Sequence, residues 1–268
     1  MGRRFGFRAA PLALRALLAQ LAPFALLALQ PVVAAAAAPP APLAAPPKVL
    51  RIAFEIAETG FDPAQISDLY SRDVARNLFD APLRYAYLAE PGTVEPNTAA
   101  ALPQVSADFR TYTFHIKPGI YFIDDAAFHG VRRELVASDY VYSIERIFDP
   151  RWKSFAYATW ENAGVIGVKA LRDEALRTGH FDYDRKVEGL RAIDRFTLQI
   201  RLDHPDPRFA SNLVDSSLVG AVAREVVEFY GDRIMEHPVG TGPFRLAAWR
   251  RSSRSTPTRA WIPLSPTS

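Results

Sequence analysis

TYTFHIKPGIYF (residues 111–122) and ELVASDYVYSIERIFDP (residues 134–150) decide the fold. Tyr112, Phe114 and Ile116 alternate with Thr111, Thr113, His115 and Lys117, a period of two that gives a strand with one buried face. Pro118-Gly119 supplies turn chemistry, and Ile120 and Phe122 resume the alternation as a second strand. Past a loop with Asp124, Asp125 and Gly130, Ser138 stands at an N-cap position with Asp139 in the first turn. Tyr140, Val141, Ile144, Ile147 and Phe148 follow at helical spacing, and Asp149-Pro150 ends the helix. Taken as residue types, the block asks for no more than an α+β unit with a good core.

Outward from this block the pattern continues. Strands are expected at Lys48–Phe54, Leu83–Tyr87, Val165–Val168 and Phe196–Leu202, where Phe196, Leu198, Ile200 and Leu202 alternate with Thr197, Gln199 and Arg201. Helices are expected at Ser71–Phe79, Phe209–Leu218 and Arg224–Tyr230, with an exposed helix and loop over Lys169–Gly189. Phe244, Leu246 and Trp249 begin another strand. Tyr140, Trp152, Phe155, Tyr157 and Trp160 are read as core packing around the end of the long helix.

The two ends read differently. Arg3, Arg4 and Arg8 form a basic n-region, Ala9–Ala38 is almost wholly apolar, and Ala34–Ala38 offers A-x-A cleavage sites, so residues 1–38 are expected to be a cleaved signal peptide. Pro11, Pro23, Pro31 and Arg15 leave no clean run of about 20 apolar residues for a membrane anchor. Arg3-Arg4 also permits a twin-arginine signal. Residues 39–47 (PPAPLAAPP) form a Pro/Ala linker. At the other end, Ser, Thr, Pro and Arg supply fourteen of the eighteen residues 251–268, and residues 250–268 are expected to be a disordered tail.

Charge follows the same division. The chain holds 32 basic and 29 acidic residues, and its two ends hold eight arginines and no acid. Residues 48–249 are therefore net acidic, and the basic balance of the whole chain is no argument for nucleic-acid binding. There is no cysteine, which removes disulfides, thiol catalysis and thiolate metal sites. His115, His129, His180 and His204 show no metal-ligand spacing, and His237 before Pro238 is ordinary. No G-x-S-x-G elbow occurs, and Gly240-Thr241-Gly242 lacks the Lys-Ser/Thr ending of a phosphate loop.

The order and wording of these stretches resemble the family-5 solute-binding proteins of bacterial ABC importers, the group with dipeptide and oligopeptide receptors. The resemblance rests on the 111–150 block and on Arg51–Phe79, with Phe61-Asp62-Pro63-Ala64 and Asn77-Leu78-Phe79. It rests also on Glu95-Pro96 through Leu102-Pro103 and on Pro238-Val239-Gly240-Thr241-Gly242-Pro243-Phe244. It runs from about Lys48 to Trp249 and stops there. It implies a mixed α+β, α/β-class fold: a periplasmic-binding-protein-like type II lobe with an inserted smaller α+β subdomain. Residues 48–82 plus 192–249 would form an incomplete first lobe and 83–191 the subdomain, and the second, ligand-closing lobe would be missing. The absence of the family pattern beyond 249 reads as a truncation by a shifted reading frame, or else as a short variant.

The resemblance further implies a ligand held in a crevice between lobes. In this sequence the contributing positions would be Glu55, Ile56, Glu58 and Thr59, and Thr241, Gly242 and Phe244. Backbone groups at Ile56, Glu58, Thr241 and Gly242 would pair with an extended peptide, Gly242 allowing close approach and Phe244 supplying an apolar wall. It implies a periplasmic monomer with no cofactor and no metal. Such a receptor captures a small solute, most plausibly a peptide, and hands it to a membrane permease without catalysis. The alternatives are a non-functional remnant with little ligand binding and an exported hydrolase.

Overall fold

The computed structural model describes residue 50, residues 52–250 and the backbone of residues 260–263. The expected signal peptide and linker lie outside the described residues. Everything below belongs to one compact unit, Ile52–Ser268.

In chain order the unit holds helix α1 (Leu69–Ala75), strands β1 (Leu83–Tyr85), β2 (Val94–Pro96), β3 (Gln104–Val105) and β4 (Thr111–His115), and helix α2 (Ala137–Phe148). Helices α3 (Tyr157–Asn162) and α4 (Val168–Thr178) follow, then strands β5 (Leu190–Ala192) and β6 (Thr197–Arg201). Helices α5 (Ser216–Val219) and α6 (Arg224–Tyr230) precede strands β7 (Phe244–Ala248) and β8 (Ala260–Pro263). Short 3₁₀ turns stand at Ala126–Phe128, Phe209–Leu213 and Gly231–Glu236.

The central element is a four-stranded antiparallel sheet in the order β3-β4-β6-β5. The period-two pattern sets its register. Tyr112 lies opposite Ile200 and Phe114 opposite Leu198, so the apolar residues of both strands share one face, and all four are buried. Helix α2 lies across β5 and β6. Its Tyr140, Ile144, Ile147 and Phe148 are buried with that face, which explains their helical spacing. The pairing of β4 with β6 means that the sheet crosses the lobe boundary expected at residue 191.

Several expectations are corrected. The cap position of α2 is Val136, not Ser138: the Val136 N–H donates to the Asp139 carboxylate at 2.8 Å, and Asp139 N–H donates back to the Val136 carbonyl. Asp139 can do this because Arg133 holds its carboxylate from the other side. Ile120–Phe122 form no strand against β4. Tyr121 makes a single bridge to Glu134, and the Phe122 and Leu135 N–H groups bond across the same loop. Ile52–Phe54 are not a strand, for no described strand lies beside them, and Ile52 is exposed. Only Val165 bridges to Leu202, and Val168 opens α4 because Gly167, at φ +90°, turns the chain there. Residues 209–218 form two short turns of helix with a break at Asp215, whose carboxylate caps the second. Phe155 is exposed and outside the aromatic packing. Within the expected tail, Ala260–Pro263 forms a strand antiparallel to β7, with a register shift at Leu246/Ala248.

The segment before α1 is tied to α2 by an internal ion pair. The Arg146 guanidinium donates to both oxygens of Asp62 at 2.7 and 2.8 Å, and both side chains are at most 1% exposed. The Trp152 ring covers the guanidinium at 4.4 Å, and Gln65 donates to Asp62 Oδ2. Such a pair contributes little net stability over an apolar replacement, but breaking one half strands a buried charge. Arg146→Ala is therefore expected to lower unfolding free energy by about 3–5 kcal/mol. The double variant Asp62→Leu/Arg146→Met should recover most of that loss. Urea unfolding of the three chains checks this; an Arg146→Ala midpoint equal to wild type contradicts it.

One position upstream, Glu145 is also buried. Burial pushes its carboxyl up to about 8, Arg224 opposing and Asp182 and Asp184 adding to the rise. A carboxyl raised in the folded state binds its proton more tightly there than in the unfolded chain. Its stabilising contribution is therefore full below the ordinary glutamate range, and stability falls as pH rises toward 8, by at most roughly 1.4 kcal/mol per pH unit. Glu145→Gln should flatten this decline between pH 5 and about 8 relative to wild type in thermal unfolding. Parallel pH profiles for the two chains contradict it.

Candidate functional site

The two segments expected to face a ligand, 55–59 and 241–244, are both fastened to one stretch, Asp68–Asp80. Asp68 caps α1 through its carboxylate, which accepts the Ser71 N–H at 2.8 Å. The same carboxylate accepts the Thr59 hydroxyl at 2.6 Å, while the Thr59 N–H donates to the Ser71 hydroxyl at 2.9 Å. Burial alone would raise the Asp68 carboxyl; the hydrogen bonds from Ser71 and Thr59 outweigh it and hold the group below its ordinary value. Thr59 is thus pinned to the first turn of α1. Directly after it, Gly60 at φ +155° packs on Met235, and the Phe61 N–H bonds the Met235 carbonyl.

The other segment hangs on the far end of the same stretch. The Gly242 N–H donates to the Leu78 carbonyl at 3.0 Å and the Phe244 N–H to the Asn77 carbonyl at 3.1 Å. The Thr241 hydroxyl donates to Asp80 at 2.9 Å, and Asn97 donates to the other Asp80 oxygen. A Cβ at Gly242 would stand 2.6 Å from the Leu78 carbonyl carbon. The glycine therefore serves approach to residues 77–78, not to a ligand. Its N–H is already used, Pro243 has none, and Gly242 itself is buried. Phe244 is half-buried and packs against the core, and at the far end of β7 Trp249 meets the Phe61 ring at 5.0 Å.

Of the expected site residues, Glu55 and Thr59 are exposed, Ile56 is 68% exposed, and Glu58 is buried. The exposed backbone is thus at Glu55–Ala57, with a bend at Glu55–Ile56 that pairs with no strand among the described residues. Sequence reasoning did not find the three residues that fix these loops: Asp68, Ser71 and Asp80. The run Ser67-Asp68 ahead of an apolar-periodic segment was a readable cap signal for the first. Nothing local marks Asp80, whose role depends on a residue 161 positions away.

The histidines are dispersed. His237 stacks on Tyr230 at 3.9 Å, His204 lies against Asp203, and His115 meets the Thr197 hydroxyl. Among the described residues no three metal-ligating side chains converge.

Comparison with known proteins gives the family. The family profile "Bacterial extracellular solute-binding proteins, family 5 Middle" matches residues 93–259, ten residues beyond the point where the resemblance was expected to stop. The di/tripeptide-binding protein 2 of Pseudomonas aeruginosa is 30% identical over 221 residues, covering 80% of this chain and 38% of its own length. The periplasmic oligopeptide-binding protein OppA of Salmonella typhimurium is 28% identical over 70% of this chain and 31% of its own. Among solved structures, the pheromone receptor PrgZ, studied for its mode of peptide binding, superposes with a TM-score of 0.59 at 25% identity, covering 74% of this chain and 36% of its own. The murein tripeptide binding protein MppA of Escherichia coli superposes with a TM-score of 0.56 at 27% identity, covering 71% and 34%. The chain thus spans about a third of the length of these relatives.

The glycine geometry can be tested. Gly242→Ala should destabilise the fold by about 1–3 kcal/mol, because the added methyl meets backbone rather than a yielding side chain. Thermal unfolding checks this. An unchanged melting temperature would show that the residue faces open space instead.

Proposed function

Since the chain belongs to the bacterial extracellular solute-binding proteins of family 5, we propose that it is a solute-capturing component of an ABC importer. Its solute in this reading is a short peptide. The observation that carries the reading is the joint anchoring of 55–59 and 241–244 on Asp68–Asp80, which holds the two segments in fixed relation. In support stand relatives named for di/tripeptide, oligopeptide and murein tripeptide binding.

The chemistry is capture and release. Ile56 and its neighbours add hydrogen bonds to an extended ligand backbone in the manner of an added strand, and Thr241 and Gly242 accept from its N–H groups. Phe244 lends apolar surface. No bond is made or broken. The working place is the periplasm, after removal of residues 1–38, with the chain acting as a monomer and passing its peptide to a membrane permease. Among the described residues no helix is long and apolar enough to cross a membrane. The arrangement proposed is residues 48–82 with 192–249 as one lobe and 83–191 as the inserted subdomain, the sheet β3-β4-β6-β5 joining the two.

A second reading, that this chain by itself holds little ligand, is favoured by one number: it spans 38% of the di/tripeptide-binding relative. Calorimetry of the full chain with trialanine separates the two. The peptide-capture reading expects saturable 1:1 binding, weakened about tenfold by Ile56→Pro, which deletes an exposed N–H without touching the core. Absence of heat supports the second reading. Consumption of the peptide would contradict both.

A further inference from the structure

A cavity of about 510 Å³ contains none of the residues expected to face a peptide. Its walls come from the end of α2 (Tyr142, Asp149), the turn after it (Arg151, Trp152), the loop after α4 (Phe181, Tyr183) and α6 (Arg224, Glu228), with Asp232 beyond.

Asp149 is the unusual member. It is 5% exposed, and its carboxylate bonds only neutral donors, the Tyr183 hydroxyl at 2.7 Å and the Arg151 N–H at 2.9 Å. It also follows the last residue of α2, where the helix dipole already places negative charge. A buried carboxylate in that position calls for a cation. The neighbouring guanidiniums are committed elsewhere. Arg146 is held by Asp62, Arg172 by the Phe148 carbonyl, and Arg224 by Asp184 and Glu228. Asp232 is exposed and has no ion-pair partner among the described residues.

The aromatic wall already carries a cation. Trp152 has the Arg146 guanidinium at 4.4 Å and that of Arg151 at 4.0 Å from its ring centroid. Arg151 is exposed, and its guanidinium forms no ion pair among the described residues, so it can swing away. Trp152, Tyr142 and Tyr183 therefore form a surface on which a planar or quaternary cation gains from the ring faces. Among the described residues no three His, Asp or Glu side chains converge as a metal site would need, while aromatic rings line the wall, which favours an organic cation over a metal ion.

We propose that this cavity is a second binding site, for a small organic cation of the alkylguanidinium or alkylammonium class. The cation stacks on Trp152 in the place held by Arg151, with Asp149 and Asp232 supplying the counter-charge. Tyr183, its hydroxyl donating to Asp149 and accepting from the Trp152 indole N–H, keeps carboxylate and ring in fixed relation.

The test titrates the full chain with methylguanidinium and, as an uncharged match in shape, methylurea, following the indole N–H resonance of Trp152. The site predicts a saturable shift for methylguanidinium and none for methylurea. Arg151→Ala, which removes the resident cation, should tighten binding about threefold, and Asp149→Asn should weaken it about tenfold. Because Asp149 is buried and its variant can fail to fold, Asp232→Asn serves as a surface variant, with an expected loss of about threefold. Equal shifts for the charged and uncharged probes overturn the proposal. So does a non-saturating shift reproduced by sodium chloride, an absence of binding in both wild type and Arg151→Ala, or affinities unchanged in the folded acid variants. Trialanine binding should be untouched by Arg151→Ala, so failure of this site is distinguishable from failure of peptide capture.

Discussion

The contact on which the rest depends is the buried fork between Arg146 and Asp62. It joins the segment leading into α1 to the long helix over the sheet, 84 residues apart in sequence. Neither partner can leave without the other, since each alone would be a charge in an apolar interior. Asp62 fixes the residues just after Gly60, and hence where Thr59 meets the cap of α1. Arg146 fixes Trp152 beneath its guanidinium, and hence one wall of the distal cavity. One ion pair thereby links the segment leading into α1 to a wall of the distal cavity.

Much of the sheet and its helix could be read in the sequence because they obey strong periodicity. Tyr112, Phe114, Leu198 and Ile200 had to share a face, and α2 had to cover it. What escaped was set by distant partners. Val136 replaces Ser138 at the helix start because Asp139 reaches back to its N–H while Arg133 steadies the carboxylate, a geometry no single dipeptide reveals. Ile120–Phe122 alternate like a strand yet pair only with the loop at 133–135. Leu190–Ala192, too short to show a period, is a sheet strand only because β6 accepts it.

The ligand-facing loops show the same limit. A glycine between Thr241 and Pro243 suggests room for a ligand, whereas the structure uses it to bring the chain onto Leu78. The division of labour among the backbone groups at the expected positions could not be read, because it rests on hydrogen bonds to Asn77, Leu78 and Asp80. The consequence is chemical. In the proposed capture, a peptide backbone draws on both segments.

Amide hydrogen exchange of the full chain, with and without trialanine, tests this division most directly. The account predicts slow exchange at Gly242 and Phe244 even in the free chain, and fast exchange at Ile56 that slows only when peptide is present. Rapid exchange at Gly242 and Phe244 in the free chain, or peptide protection that bypasses Ile56, would contradict it.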